Sequence, residues 1–402
     1  MEIKPLVSIV IPVYNGSDYL CEAIDSALNQ TYDKCEVIVV NDGSTDNTEE
    51  ICFGYGDKIR CFHKENGGVA TALNFAIQQM RGDYFSWLSH DDIYYLDKIE
   101  KQINALRSSG DMTKLVWGDF DIFYENTNQV ETKRFSEIDD VALLTDSIFP
   151  LLKSYIGGCA LLIHRSHFER VGLFDAELRY TQDYDLWFKM LRGQKTIYVD
   201  SPLYKVREHR EQGSKAELQK MMPAVVDLWL RFTNAVTPDE AIRMFGSLQE
   251  FYRYFYTKMI GFGDDSAINA VYDMYKAQPD SLDLNERIKE INEYILSKTH
   301  GVTRKICIFC AGYYGKKLFY DLSTYGINVD FFADNDESKS ETVIAKGIRC
   351  KSFKQLLAEK NDTLVIVSNR FPEVIVKQLF DAGFSYVLTL QQLDDVFSNS
   401  KG

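Results

Sequence analysis

Between Val7 and about Asn126, short apolar runs alternate with longer segments of helical period, a pattern that restricts the chain to βαβ units around a mainly parallel sheet. Val7–Ile11 reads as the first strand. Ser17–Leu28 follows with Leu20, Ala23, Ile24, Ala27 and Leu28 at helical spacing and Ser17 available as a cap. Val37–Val40 is the second strand. Thr45–Glu50 gathers acids and capping residues where a helix start favours them, and Ile59–His63 is the third strand. After Gly67-Gly68, residues Val69, Ala72, Leu73, Ala76, Ile77 and Met80 keep one apolar face, and Gly82-Asp83 turns the chain into the strand Tyr84–Leu88. The expected architecture is an open α/β sheet.

Open sheets of this kind build their sites outside the carboxyl ends of the strands, so the polar residues at those ends are read together. They are Pro12-Val13-Tyr14-Asn15, Asn41-Asp42-Gly43-Ser44 and Ser89-His90-Asp91-Asp92. Asp42 can accept the imide hydrogen of a uracil, Tyr14 can offer a stacking face, and Asp91 can hold a divalent cation against a diphosphate. Each has a plainer reading, since Asp42-Gly43 also suits a turn and Asp91-Asp92 a helix start. As an ordered set they suggest a nucleotide-sugar site.

The rest of the 402 residues carries less chemistry. Beyond the polar stretch 125–140, Gly157–Ile163 reads as a strand led by two glycines, and a helix begins near Asp183. Gly157-Gly158 either bends the chain into that strand or lets an acceptor approach the backbone. Residues 216–300 recur in aromatic and aliphatic positions between charges without strand alternation, and are read as a helical connecting region. From 301 onward βαβ character returns, with strands Ile306–Phe309, Val329–Phe332 and Leu364–Val367 in a second, smaller α/β domain. The expected domains are therefore 1–215, 216–300 and 301–402. A formal charge of -14 argues against attraction to nucleic acid or to an anionic membrane. No apolar run reaches the roughly 18 residues that span a bilayer, and the amino terminus lacks a secretory core, so a cytoplasmic protein without a transmembrane segment is expected. The eight cysteines are expected to be reduced and structural; Cys307 and Cys310, three apart on a strand, point to opposite faces.

Val10-Ile11-Pro12-Val13-Tyr14-Asn15, Val39–Asp46, Asn66-Gly67-Gly68, the Asp91 segment, Val171–Asp175 and Gln182–Trp187 resemble family 2 glycosyltransferases of the GT-A fold over about the first half of the chain. The resemblance implies a Rossmann-like, nucleotide-sugar-binding sheet. It also implies donor contacts from Pro12, Tyr14, Asn15, Asp42, Ser44, Asn66, Gly67, Ser89, His90, Asp91, Asp92 and Arg207. A Mn2+ or Mg2+ ion would be held at the usual Asp-x-Asp motif, where Ser89 here replaces the first acid and Asp91 fills the second. Asp183 takes the place of the catalytic base. Tyr204–Ser214 resembles the loop that closes over the donor, with His209 as a further metal ligand and Arg207 and Arg210 facing phosphate oxygens. The implied reaction moves a hexose or N-acetylhexosamine from a UDP-sugar to a hydroxyl on a glycan, glycoprotein or lipid-linked saccharide, with inversion by single displacement. Trp187 is read as core, and Trp117 or Tyr155 as an aromatic able to stack on an acceptor sugar.

In the carboxyl-terminal domain, Cys310-Ala311-Gly312-Tyr313-Tyr314-Gly315 stands where a dinucleotide fold carries its glycine-rich turn, with Asp334 near the expected acid. This part resembles the small Rossmann-like domains found beside sugar-modifying enzymes. Strand–helix packing alone can require Gly312 and Gly315, and homo-oligomer formation is the other expected role. A nicotinamide-dependent sugar oxidoreductase and a non-catalytic scaffold remain as alternative functions.

Overall fold

The computed structural model describes residues 4–209, 212, 217–278, 291–324, 327–369 and 371–393. Among them the chain forms two compact units, Met1–Leu228 and Trp229–Gly402, each with its own sheet.

The first unit is built on the anticipated alternation. Strand β1 (Val7–Val13) is buried along its whole length. It leads to helix α1 (Leu20–Leu28), β2 (Cys35–Asn41), α2 (Thr48–Tyr55), β3 (Arg60–His63), α3 (Val69–Gln79), β4 (Tyr84–Trp87), the two-residue β5 (Ile93–Tyr94) and α4 (Lys98–Ser109). The chain continues through β6 (Val116–Tyr124), β7 (Gln129–Lys133), α5 (Val141–Leu144), α6 (Phe149–Leu152), β8 (Leu162–His164), α7 (Ser166–Val171), α8 (Gln182–Leu191) and β9 (Ile197–Glu208). The strand order is β3-β2-β1-β4-β8-β6-β9-β5, with β7 paired to β6. β3, β2, β1 and β4 are parallel, β8 runs antiparallel between β4 and β6, and the sheet is therefore mixed. Register decides where the site lies: Val13 is level with Asn41, and Val10 with Trp87, so three strands deliver their carboxyl ends to one side.

Three local expectations change. Ser17 does not cap α1, because the helix starts only at Leu20 and the cap position falls to Tyr19; Ser17 instead gives its backbone N–H to the Asp46 carboxylate at 2.9 Å. Gly157–Ile163 is not a strand from its first residue. The chain turns at Gly157, whose carbonyl accepts from the Ala160 N–H, and β8 starts only at Leu162. The turn needs its second glycine, since a Cβ on Gly158 would meet the Trp87 ring at 2.8 Å. Tyr204–Glu208, expected in a loop, instead completes β9, paired with β5 on one side and with β6 up to Tyr124↔Glu208 on the other.

The second unit opens with helices. Leu218–Ala235 runs into it, followed by Pro238–Phe245, Leu248–Phe262 and Asp265–Lys276, and by a further helix over 291–298. Thr237 and Glu240 form a reciprocal capping box, and Ser247 and Asp264 cap the next two helices. The aromatic residues between charges form the helical core: Trp229, Phe232, Phe251 and Phe255 are buried, with Trp229 edge-on to Phe232. The sheet of this unit comprises β10 (Lys305–Phe309), β11 (Phe331–Asp334), β12 (Val343–Ala345), β13 (Ile348–Ser352), β14 (Thr363–Val367) and β15 (Val387–Thr389), in the order β12-β13-β11-β10-β14-β15. All neighbours but β12 and β13 are parallel. Cys307 lies in the buried centre of this sheet, and Cys310 has left the strand with φ 79°.

Candidate active site

The ends of β1 and β2 are tied to each other by side chain to backbone hydrogen bonds. After β1 the chain turns at Asn15, whose φ of 49° is one that asparagine tolerates better than most residues. The Asn15 carboxamide oxygen accepts from the Thr45 N–H at 2.7 Å, and the Asn15 backbone N–H donates to Ser44 Oγ at 2.9 Å. Asn41 completes this link by accepting from the Ser44 N–H at 2.9 Å. Asp46 accepts from the amides of Ser17 and Thr48. Burial raises its pKa, but those donors and the Thr48 hydroxyl outweigh burial and hold its carboxyl at about 2. Pro12 is buried behind this turn, and Tyr14 stands on it with its side chain 49% exposed.

Asp42 is buried at the end of β2. Its carboxylate receives the amides of Gly67 and Gly68, the latter at 2.8 Å, together with the Lys64 ammonium. Gly43 is obligatory here: φ is +77°, and a Cβ would lie 2.8 Å from the Asn66 nitrogen. Asn66 and Gly67 are exposed above it. Lys64 was not singled out in the sequence; its position beside the Asn66-Gly67-Gly68 turn is the one local signal.

Ser89-His90-Asp91-Asp92 is a tight turn, closed by the Asp92 N–H on the Ser89 carbonyl at 3.1 Å. It is gripped from below and from one side. Below, Cys159 accepts from the Ser89 N–H at 3.2 Å, contacts Ser89 Oγ at 3.3 Å and donates to Asp92 Oδ2 at 3.3 Å. Asp92 is buried; burial and then the Asp91 carboxylate push its pKa upward, and it faces Cys159 and the Arg207 N–H (3.0 Å) rather than open solvent. His90 packs on Gly16, where a Cβ would strike its ring at 2.2 Å, and burial pushes its imidazole down.

From the side, β9 delivers Arg207 and His209. Arg207 is nearly buried, its guanidinium paired with Glu22 and with Glu125 at 3.5 Å, bonded to the Asp91 carbonyl at 3.0 Å and stacked near Tyr19 and Phe123. It anchors the turn from within a shell of carboxylates. Arg210 lies outside the described residues. His209 is 8% exposed, tilted over the Tyr19 ring, with Nε2 3.2 Å from Asp91 Oδ2 and Nδ1 without a hydrogen-bond partner among the described residues. Cys159, Tyr19, Glu22 and Glu125 became visible only through the fold, because the bonds that tie them to the turn, to Arg207 and to one another cross 67–185 residues of sequence and leave no local pattern.

Two groups separated by 3.2 Å fit neighbouring positions around an ion whose ligand distances are about 2.1 Å. Among the described residues no cluster of three or more His, Cys, Asp or Glu side chains gathers in this way. Asp91 and His209 thus suit a hard cation that takes its remaining ligands from phosphate and water, as Mg2+ or Mn2+ does.

Asp183 heads α8. Burial raises it to about 6 against the opposing effect of amide hydrogen bonds from Tyr184 and its own residue. One turn on, Trp187 is fully buried and edge-on to Phe174, which is in turn edge-on to Trp87 at the end of β4. Positions four apart share a helix face, so this aromatic stack directs Asp183 to the same side as β4. Asp185, in contrast, is spent on Lys189 at 2.6 Å. Trp117 and Tyr155 offer no face to a sugar: Trp117 is enclosed by Phe135 and Tyr198, and Tyr155 stacks on Phe135 at 4.3 Å.

In the second unit the two glycines of the glycine-rich turn differ: Gly312 stands in open space, and Gly315 is packed against the backbone. A Cβ on Gly315 would lie 2.1 Å from the Cys310 carbonyl oxygen, which makes this glycine a packing requirement. Asp334 accepts from the Ala311 N–H at 2.8 Å and pairs with Lys339 at 2.9 Å.

Residues 8–172 match the family model described as glycosyl transferase family 2. An uncharacterized glycosyltransferase of Rickettsia typhi is 47% identical over 248 residues, 62% of this chain and 78% of that protein. One from Rickettsia felis is 48% identical over 242 residues, 60% of this chain; the chain spans 40% of that relative's length. Among solved structures, a mannosyltransferase from Pyrobaculum calidifontis in complex with GDP-Man and Mn2+ is 18% identical with a TM-score of 0.47, over 75% of this chain and 84% of that one. Sequence identity at that level across most of the Rickettsia typhi protein, over a sheet whose strand ends carry the expected turns, establishes that the chain belongs to glycosyl transferase family 2.

Proposed function

We propose that the chain is an inverting hexosyltransferase that moves a hexose or N-acetylhexosamine from a UDP-sugar to a hydroxyl of a glycan, glycoprotein or lipid-linked saccharide in the cytoplasm. The observation that carries this reading is Asp183, a carboxyl raised to about 6 on the helix face that the Trp187–Phe174–Trp87 stack turns toward β4. A base working near neutrality needs a carboxylate made more basic than usual yet still ionised, and burial supplies that here. Asp183 takes the proton of the acceptor hydroxyl as its oxygen attacks the anomeric carbon from the side opposite the diphosphate, and one displacement inverts that carbon. Asp91 and His209 would hold a Mn2+ or Mg2+ ion, which would supply positive charge to offset the negative charge that builds on the diphosphate. Tyr14 stacks on the base, and Asp42, fixed by Gly67, Gly68 and Lys64, meets its edge. Asn15, Ser44 and Asn66 line the same side. Ser89 and Asp92 act through the turn they close, and Arg207 acts through Asp91.

No helix among the described residues is long and apolar enough to cross a membrane. The second unit serves association of chains in this reading rather than nucleotide binding, because Asp334 is already satisfied by Ala311 and Lys339.

A panel of UDP-glucose, UDP-galactose, UDP-N-acetylglucosamine and GDP-mannose, each with Mn2+, tests the donor by thermal shift. A ligand held at 100 times its Kd should stabilise the fold by about 2.7 kcal/mol. Stabilisation by a UDP-sugar supports the proposal. A response to GDP-mannose alone overturns its choice of nucleotide, and no response to any of the four overturns the site.

A further inference from the structure

A groove of about 660 Å³ lies beside β3, the outermost strand of the first sheet, and is lined by Glu49, Cys52, Cys61 and His63 with Arg60 and Arg81 at its margin. Strand alternation sorts these side chains. Phe62 faces α3, where it meets Phe75 edge-on, so Cys61 and His63 face α2. On α2, Glu49 and Cys52 are three apart and share a face, which sets Cys52 against Cys61 and Glu49 against His63, the latter pair at 3.9 Å. Cys52 is buried and Cys61 reaches the groove.

Cys61 is surrounded by hydrogen-bond donors. The Cys52 thiol donates to its sulfur, which pushes the pKa of Cys61 down against the opposing effects of burial and of Glu49, and pushes that of Cys52 up. His63 Nε2 lies 3.7 Å from the same sulfur. The tautomer of His63 follows from its other neighbour. Asn41 commits its carbonyl oxygen to the Ser44 N–H, so its NH2 faces His63 Nδ1 at 3.3 Å and donates to it. Nδ1 is then the acceptor nitrogen, and Nε2 carries the hydrogen that points at Cys61. A sulfur with two donors and an open approach is a nucleophile, and a second thiol at contact distance is positioned to resolve what it forms.

We propose that Cys61 and Cys52 form a reactive dithiol that exchanges with small anionic disulfides of the glutathione type, with Cys61 attacking and Cys52 resolving. The Cys61 thiolate bonds to one sulfur of the disulfide, whose sulfur–sulfur bond breaks and releases one thiolate. Cys52 then attacks the Cys61 sulfur of the mixed disulfide, loses its proton and releases the second thiolate. The two protons of the protein thiols end on the two released thiols, so one disulfide has been exchanged for another with no net redox change. Arg81, exposed at the groove, matches a carboxylate of such a ligand, whereas Arg60 lies on the Phe62 face and is spent on Glu36 at 2.8 Å and on the Gln79 carbonyl. This departs from the reading of all eight cysteines as inert packing.

The test uses the full chain incubated with glutathione disulfide and mapped by mass spectrometry without reduction. The expected product is a Cys52–Cys61 cross-link, reversed by dithiothreitol, formed about tenfold or more faster than glutathione is attached to the exposed Cys21. Cys52→Ala should stop at glutathione on Cys61, and His63→Ala in that background should slow its attachment several-fold without changing the rate at Cys21. Cys61→Ala should leave Cys52 unmodified. Free Cys52 and Cys61 in native protein whose Cys21 has already reacted would overturn the proposal, as would equal rates at Cys61 and Cys21 in Cys52→Ala. Because the first measurement is made on the unaltered chain, it stands whether or not a variant folds.

Discussion

Asp183 and Asp185 are two residues apart on one helix, yet among the described residues only the second has a cation to balance it. Asp183→Asn should therefore lower kcat by about 10²–10⁴-fold with donor affinity nearly unchanged, measured by separate turnover and binding titrations. Undiminished transfer would refute its role. The wild-type rate should climb as pH rises through about 6, since the base must be ionised. Stability runs the other way. A carboxyl whose folded value lies above its unfolded one binds more protons when folded, so ionising it between about pH 4 and 6 weakens the fold. Asp183→Asn should thus be the more stable protein above pH 6, by roughly 1–2 kcal/mol after solvent screening, with the advantage vanishing toward pH 4 in thermal melts. Gly43→Ala is the opposite case: the positive φ and the Asn66 backbone leave no room, and a loss of about 1–3 kcal/mol is expected by denaturant titration. Residues such as Asp42, Asn66 and Asp91 were legible because each sits in a contiguous polar turn after an apolar run. Cys159 was not, because its contact with Ser89 and Asp92 exists only once β8 is laid beside β4.

At the level of elements, sequence served well where local period decides. β1, β2, α1 and α3 lie where their apolar spacing put them, and the buried residues of α3 are Ala70, Ala72, Leu73 and Ala76. It failed where a distant partner decides. Tyr204–Glu208 is polar enough to read as loop, yet pairing with β5 and β6 makes it strand and thereby fixes Arg207 beneath the Asp91 turn. Gly157-Gly158 reads as a strand entry, whereas the Trp87 ring lying against Gly158 makes it a turn. The amino end of α2 gives a prediction at this scale. Asp46, held at about 2, joins α2 to the Ser17 backbone, and a depressed carboxyl stabilises the fold above its unfolded value and ceases to do so as pH falls through the folded one. Asp46→Asn should cost roughly 1–2 kcal/mol near neutrality, and the gap from wild type should close between about pH 4 and 2. A gap that stays constant with pH would assign the loss to packing instead.

For the whole molecule, two units with separate sheets and separate cores predict two calorimetric transitions, of which UDP with Mn2+ should raise one and leave the other in place. Movement of both together would mean that the units unfold as one. The strand order of the second unit was only partly legible: its three central strands are apolar runs, whereas β12 and β15 are three residues each and too short to declare themselves. That brevity has a consequence for how copies of the chain meet. A sheet's last strand offers unpaired N–H and C=O groups to any other strand, and long apolar ones seed fibrils. Here the most apolar strands, β1 and β10, are paired on both sides, while the outermost positions go to β3 with four residues, β5 with two, and β12 and β15. β7, the branch strand, is longer but carries Glu131 and Lys133. A chain that is 45% hydrophobic thus presents its neighbours with few and short templates for intermolecular strand pairing, and its sheets end where aggregation would otherwise begin.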